Sequence, residues 1–296
     1  DATLTSTGLF AQDRWRTGRA TDLTVGARYQ DVRATATGGT RHVDRTVVGS
    51  VSVVHFVRSD VALIGSAARG FRSPNLVERF FSGPTPGGRG VWVRNPGLAA
   101  ETSLSLDLGA RLRRPGLEAE LFVHRTSLRN GIRVEPTGRE TGSGPEYRNE
   151  NVESLVVRGL EAWGRWNPLP ALTVTASVEV LDRLNPRDPE DPLEGGTRTR
   201  LQGRLSWTAL PDRLTLAYHA RWHGGRRAPE GGSPVGPSVP AFHVHDLHAD
   251  ILLADGHRLA LGVENLTDRL WARPENVDFF RPEPGRRLVV ALTSHF

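Results

Sequence analysis

The chain has 296 residues, 38% of them hydrophobic, with 38 Lys+Arg against 33 Asp+Glu for a formal net charge of +5. That is apolar material enough for a sizeable buried surface, but the positive charge is nearly all arginine dispersed along the chain, not the clustered basic stripe of a nucleic-acid binder. Cysteine and methionine are both absent, which excludes a disulfide frame, a thiolate metal site and a cysteine nucleophile. The start on Asp1, without a basic and apolar leader, reads as a processed or partial chain.

No apolar run reaches the roughly 18 to 20 residues of a membrane-spanning helix. A transmembrane β-barrel stays open, because its strands hide their hydrophobicity in alternation. In chain order, period-two segments lie near 8–16, 22–34, 45–57, 61–69, 104–112, 117–128, 154–166, 172–180, 200–208, 214–222, 244–253, 258–265 and 287–296. In the segment 172–180, for example, Leu172, Val174, Ala176, Val178 and Val180 alternate with Thr173, Thr175, Ser177 and Glu179. The alternation predicts about thirteen strands with ends uncertain by a few residues, and no amphipathic helix of ordinary length.

The connections alternate in length. Short ones are RTGRAT (16–21), RSD (58–60), RRPG (113–116), NPLPA (167–171), LPDR (210–213) and ADG (254–256). Long ones are the stretch ATATGGTRHVD, the stretch 70–103, and the regions 129–153, 182–199, 223–243 and 266–286. Short turns at one end and long loops at the other predict an all-β fold: an antiparallel up-and-down transmembrane barrel with unlike ends. A soluble eight-stranded barrel would fill itself with apolar side chains. Here the face opposite the apolar one carries Arg28, Gln30, Asp107, Arg111, Gln202, Arg204 and Glu264, as a wet or plugged lumen requires. The last strand places Leu288, Val290, Leu292 and the terminal Phe296 on one face.

Four motifs in order carry a family resemblance. GFRSPNLVERF (70–80), NPGLAAETS (95–103), VENLTDRLW (263–271) and PGRRLVVALTSHF (284–296) resemble the corresponding stretches of the barrel of TonB-dependent outer-membrane receptors. The resemblance implies a 22-stranded barrel around a plug, so residues 1–296 are expected to be the C-terminal part of such a barrel, with the plug domain, the TonB box and the first strands not in this sequence. It also implies a bacterial outer-membrane receptor for a scarce nutrient, foremost a ferric siderophore, energised by the TonB–ExbB–ExbD complex acting on the absent plug. No catalytic residue, cofactor or resident metal is expected, and the other partners are outer-membrane lipid and lipopolysaccharide.

With the last strand running toward the periplasm, the long loops face outside, and the stretch 70–103 lies over the mouth. Its cations and aromatics suit an anionic, planar ligand, since guanidinium groups pair with carboxylate or catecholate oxygens and aromatic faces stack on flat rings. The candidate substrate-binding residues are Arg79, Phe80, Phe81, Arg89, Trp92 and Arg94, joined by Trp271, Phe279, Phe280 and Arg281 from the loop before the last strand. Phe71, Pro74 and Asn75 read as structural. Trp15, Trp166, Trp207 and Trp222, near strand ends, read as interfacial anchors.

Other chemistries fail on geometry. His245 and His248 of HVHDLH point to opposite faces of a strand, against a three-ligand zinc site, and NPRDPEDPLEGG (185–196) lacks the spacing of a calcium loop. A passive porin or a complete smaller barrel is the alternative reading; an outer-membrane hydrolase would need a Ser, His and acidic set of which no local motif is present.

Overall fold

The structure is a computed structural model and describes residues 1–86, 88, 90–184, 198–227, 238–253, 256–272 and 282–294. Thirteen strands follow one another along a single sheet, each antiparallel to the next: β1 (Ala2–Thr17), β2 (Thr21–Ala36), β3 (Arg41–Arg58), β4 (Val61–Arg72), β7 (Glu101–Arg114), β8 (Leu117–Thr141), β9 (Gly144–Leu169), β10 (Leu172–Leu184), β11 (Arg198–Leu210), β12 (Leu214–His223), β15 (Phe242–Leu252), β16 (Arg258–Glu264) and β17 (Arg287–Thr293). Every alternating segment of the sequence is a strand of this path. The remaining elements belong to connections: α1 (Leu76–Phe80), β5 (Gly83–Pro84), β6 (Val91–Val93), and the β13 (Arg226–Arg227) and β14 (Ser238–Val239) pair. Among the described residues β1 pairs only with β2 and β17 only with β16, so the sheet is open at both edges.

Register sorts the side chains as the period predicts. Leu108, Val123, Leu160 and Val180 lie side by side across β7 to β10, and Leu205, Tyr218, Leu247, Val263 and Leu288 across β11 to β17. These rows share one face and are largely exposed: Leu108 keeps 63% and Leu288 79% of its surface. A continuous apolar face of this extent is a surface that needs lipid. The opposite face is polar, pairing Arg204 with His219 and Asp246 in one row and Gln202 with Arg221 in the next. Loops fold over this polar face, and the small buried core lies beneath them, with Phe242, Val244 and Asp246 under the residues that follow β16 and Pro74, Arg79 and Leu98 in the loop after β4.

At the short-turn end, Gly18, Gly116, Asp212 and Gly256 adopt positive φ, the left-handed conformation that tight turns demand. Trp15, Trp166 and Trp207 cluster at that end with 46–53% of their surface exposed, on the apolar face, the position of an interfacial aromatic girdle.

The other end corrects the sequence reading. ATATGGTRHVD is not a long loop: β2 and β3 run to a turn spanning 37–40, closed by a hydrogen bond from the Ala36 amide to the Thr40 carbonyl. The region 129–153 is likewise a hairpin, with β8 and β9 running 25 and 26 residues to the turn at 142–143. Apolar residues in both stretches are few and scattered, with Ile132 and Val134 alternating only briefly, so alternation is too short to mark a strand there. A register shift at Leu128 and Gly131, with Asn130 at φ 56°, is a bulge that separates the hairpin tip from the part below it. It adjoins the break in alternation at Val156, Val157 and Arg158.

Candidate functional site

The loop after β4 is built on a short helix. Asn75 caps α1, accepting the Glu78 amide at 2.8 Å, while Glu78 accepts the Asn75 amide at 2.7 Å, a reciprocal capping box. Arg72, at the end of β4, donates to both Glu78 oxygens at 2.9 and 3.0 Å and also pairs with Glu101 at the start of β7. Glu101 in turn accepts the Ile132 amide at 2.9 Å. The hydrogen bond to Glu101 holds the Arg72 guanidinium well above its usual pKa. Burial works to raise the Glu101 pKa, but Arg72 and the Ile132 amide together keep it below the usual carboxylate range.

Arg79 is wholly inaccessible. Its guanidinium pairs with Asp44 of β3 and donates to the Pro96 carbonyl at 3.3 Å. Asp44 also accepts the Ser73 hydroxyl at 2.6 Å and contacts His42 Nε2 at 3.1 Å. Burial pushes the Arg79 pKa down against the opposing pull of Asp44, and a buried guanidinium of this kind ties the first two motifs to the sheet. That corrects its reading as a mouth residue.

The hairpin β8–β9 braces the same loop from the side. Asn149 donates to the Glu78 carbonyl at 3.1 Å, Asn95 to the Asn149 carbonyl at 2.8 Å, and the Asn151 side chain bonds both the amide (2.7 Å) and the carbonyl (3.0 Å) of Ala99. β6 pairs in parallel with residues 146–148 of β9, and Gly90 sits so close that an added Cβ would lie 2.5 Å from the Pro145 carbonyl oxygen. Held on this frame are Phe81 and Trp92, edge to face at 5.8 Å, with Arg94 exposed beside Trp92 in the chain and its amide bonded to Ser82 Oγ at 3.1 Å. Phe81 is 40% exposed, and Phe80 is half-buried. The structure thus brings Phe81 and Trp92 together, with Arg94 two residues further along the chain, while Arg89 lies outside the described residues.

The third and fourth motifs lock to each other. In NLTD, Asn265 and Asp268 both take φ 51°. Asn265 Nδ2 donates to the carbonyls of Arg269 (2.8 Å) and Pro284 (3.3 Å), and Asp268 accepts the Arg286 amide at 2.7 Å. Gly285 packs close to this bond, so that an added Cβ would lie 2.8 Å from Asp268 Oδ1 and push the carboxylate aside. Asp246, 4% exposed, accepts Arg221 at 2.8 Å and the Asn265 amide at 2.9 Å. Trp271 lies 5.5 Å from the Arg221 guanidinium and 5.4 Å from the Phe242 ring, facing a polar hollow of about 320 Å³ that Arg200, Glu264 and Arg287 also line. It belongs to this inner cluster, apart from the Phe81–Trp92 pair. Phe279, Phe280 and Arg281 lie outside the described residues.

Sequence reasoning missed Asp44, Asn149 and Asn151, which hold the loop. The clue was available: NEN (149–151) puts three polar residues in succession within a strand, which serves neither a lipid face nor a packed one.

Comparison with known proteins agrees with this architecture. The family model described as TonB dependent receptor-like, beta-barrel, matches residues 1–266. The chain is 26% identical to a ferric enterobactin receptor of Pseudomonas aeruginosa, over 97% of this chain and 42% of that protein. It is 25% identical to the ferrienterobactin receptor of Escherichia coli K12, over 88% and 40%. Among solved structures, one of the P. aeruginosa ferric enterobactin receptor superposes with a TM-score of 0.77 at 23% identity, covering 99% of this chain and 45% of the other. The copper transporter OprC gives 0.77 at 18% identity, covering 97% and 47%. The chain spans less than half the length of these relatives. By its sheet, its locked motifs and its family match, this chain belongs to the β-barrel family of TonB-dependent receptors.

Proposed function

We propose that the protein carrying this chain is an active-transport receptor of the bacterial outer membrane that takes up an anionic iron chelate, a ferric siderophore, with energy delivered by TonB–ExbB–ExbD through a plug outside this chain. Residues 1–296 supply the C-terminal part of the barrel wall and one side of the mouth. The observation that carries the ligand reading is the set formed by exposed Phe81 and Arg94 and half-buried Trp92, braced by α1 and the β8–β9 hairpin on the loop side of the sheet. Arg94 offers a charge-assisted donor to carboxylate or catecholate oxygens, and the aromatic pair offers flat apolar surface to a ring. Two of the relatives are named as receptors for ferric enterobactin, which supports the ligand class. The ligand-contact set among the described residues is Phe80, Phe81, Trp92 and Arg94; Trp271 acts at the inner face. The role is transport, with no chemical step on the ligand.

The test is uptake of radiolabelled ferric catecholate by cells that depend on this receptor. The proposal predicts accumulation that stops when TonB is removed, and a weaker apparent affinity in Arg94→Gln. Accumulation that persists without TonB and extends to small neutral sugars would instead mean a passive porin.

A further inference from the structure

The apolar face carries a pair of like charges for which the described residues provide no ion pair. Arg125 of β8 and Arg158 of β9 stand directly opposite each other in register, both exposed. They lie on the apolar face, in line with Leu106 of β7 and one step along from Val123 and Leu160. Neither arginine is joined to a carboxylate by an ion pair or side-chain hydrogen bond among the described residues. Like charges directly opposite on a sheet destabilise it, and unpaired charge beside hydrocarbon is costlier still. Arg125 is the ninth residue of β8 counted from the short-turn end. A transmembrane strand needs about 9–11 residues, which puts the pair at the outer rim of the hydrocarbon. Toward the short turns, within four residues of each arginine, the same face drops into an apolar groove of about 670 Å³ lined by Ala110, Ala119, Leu121, Ala162, Gly164 and Ala176, where small side chains leave room beneath the larger ones.

We infer that Arg125 and Arg158 together clamp the phosphate of a lipid headgroup in the outer leaflet, with an acyl chain of the same lipid lying in the groove below. This rests on the reading that the apolar face meets lipid. Two guanidinium forks side by side match the oxygens of one phosphate, and the anion removes the repulsion between them.

The experiment uses the intact receptor in neutral detergent with three probes: dioleoyl phosphatidic acid, dioleoylglycerol with the same chains and no phosphate, and inorganic phosphate. Native mass spectrometry is expected to show phosphatidic acid held by the wild type at least tenfold more tightly than by Arg125→Gln/Arg158→Gln. Dioleoylglycerol should bind both proteins alike and more weakly, and equimolar inorganic phosphate should not displace the lipid. If phosphatidic acid binds wild type and double variant equally, or inorganic phosphate displaces it, the clamp is wrong. Wild type binding neither lipid would overturn the lipid-facing assignment itself. Should the double variant fail to fold, the preference of the wild type for phosphatidic acid over dioleoylglycerol, and its retention in Arg125→Lys/Arg158→Lys, decide the matter.

Discussion

Arg79 and Arg94 show how one residue type divides between fold and function. Arg79 has no accessible surface and an ion pair to Asp44, whereas Arg94 is exposed and, among the described residues, bonded to the loop through its backbone amide. Breaking a buried pair leaves an uncompensated charge, so Arg79→Gln should cost about 3 kcal/mol in a urea titration of the receptor in detergent. Arg94→Gln, at the surface, should stay within about 0.5 kcal/mol. In sequence the two were indistinguishable, both cations in an irregular loop, because burial depends on a partner, Asp44, that lies 35 residues away.

Asp60, in the turn between β3 and β4, adds a pH test. Hydrogen bonds first from Arg114 and then from Arg58 hold its pKa below the ordinary 3.8. A depressed carboxylate stabilises the fold at pH above its unfolded value, and that contribution disappears as pH falls through the folded pKa. Thermal unfolding at pH 7 and at progressively lower pH should therefore show a loss for the wild type in that acid window, and Asp60→Asn should remove part of that loss. Equal pH dependence in the two proteins would mean that the paired arginines do not stabilise the turn.

Among elements, α1 depends most on its cap. Five residues cannot form a stable helix by themselves, and the Asn75–Glu78 capping box with the Arg72 fork supplies what propensity does not. Asn75→Ala should cost about 1 kcal/mol and, by loosening the loop that holds Phe81 and Trp92, raise the KM for uptake more than it lowers the maximal rate. An unchanged KM with normal expression would separate the helix from the ligand. The strands were legible because lipid on one side and polar groups on the other impose a strict period of two. The β8–β9 hairpin beyond its bulge and the run 34–44 were not, because apolar residues there are too few to sustain a period and main-chain pairing defines the strand. The helix escaped notice because its five residues are too few to display a period.

At the scale of the molecule, the chain is a wall with two unlike faces and two unlike ends, and the motifs that mark the family are where connections are pinned to that wall. Asp44 with Arg79 and Asp246 with Asn265 are the same device at two places: a carboxylate on the polar face that receives a folded-over loop. Sequence alone gave the strand count and the faces, since both follow from local alternation. It could not separate residues that pin a loop from residues that a loop displays, since that depends on contacts between strands distant in the chain.

The central claim, that one face meets lipid while the loop after β4 meets the outside, can be tested by single cysteine substitutions in this chain, which has none of its own, within a receptor in which any cysteine outside this chain is replaced by serine. Leu108→Cys, Asp107→Cys and Arg94→Cys in the receptor in intact cells should be treated with a charged, membrane-impermeant maleimide and, separately, with a lipid-soluble one. The account predicts that Arg94→Cys reacts with the charged reagent from outside, that Leu108→Cys reacts only with the lipid-soluble one, and that Asp107→Cys is shielded from lipid. Labelling of Leu108→Cys by the charged reagent, at the rate of Arg94→Cys, would contradict it.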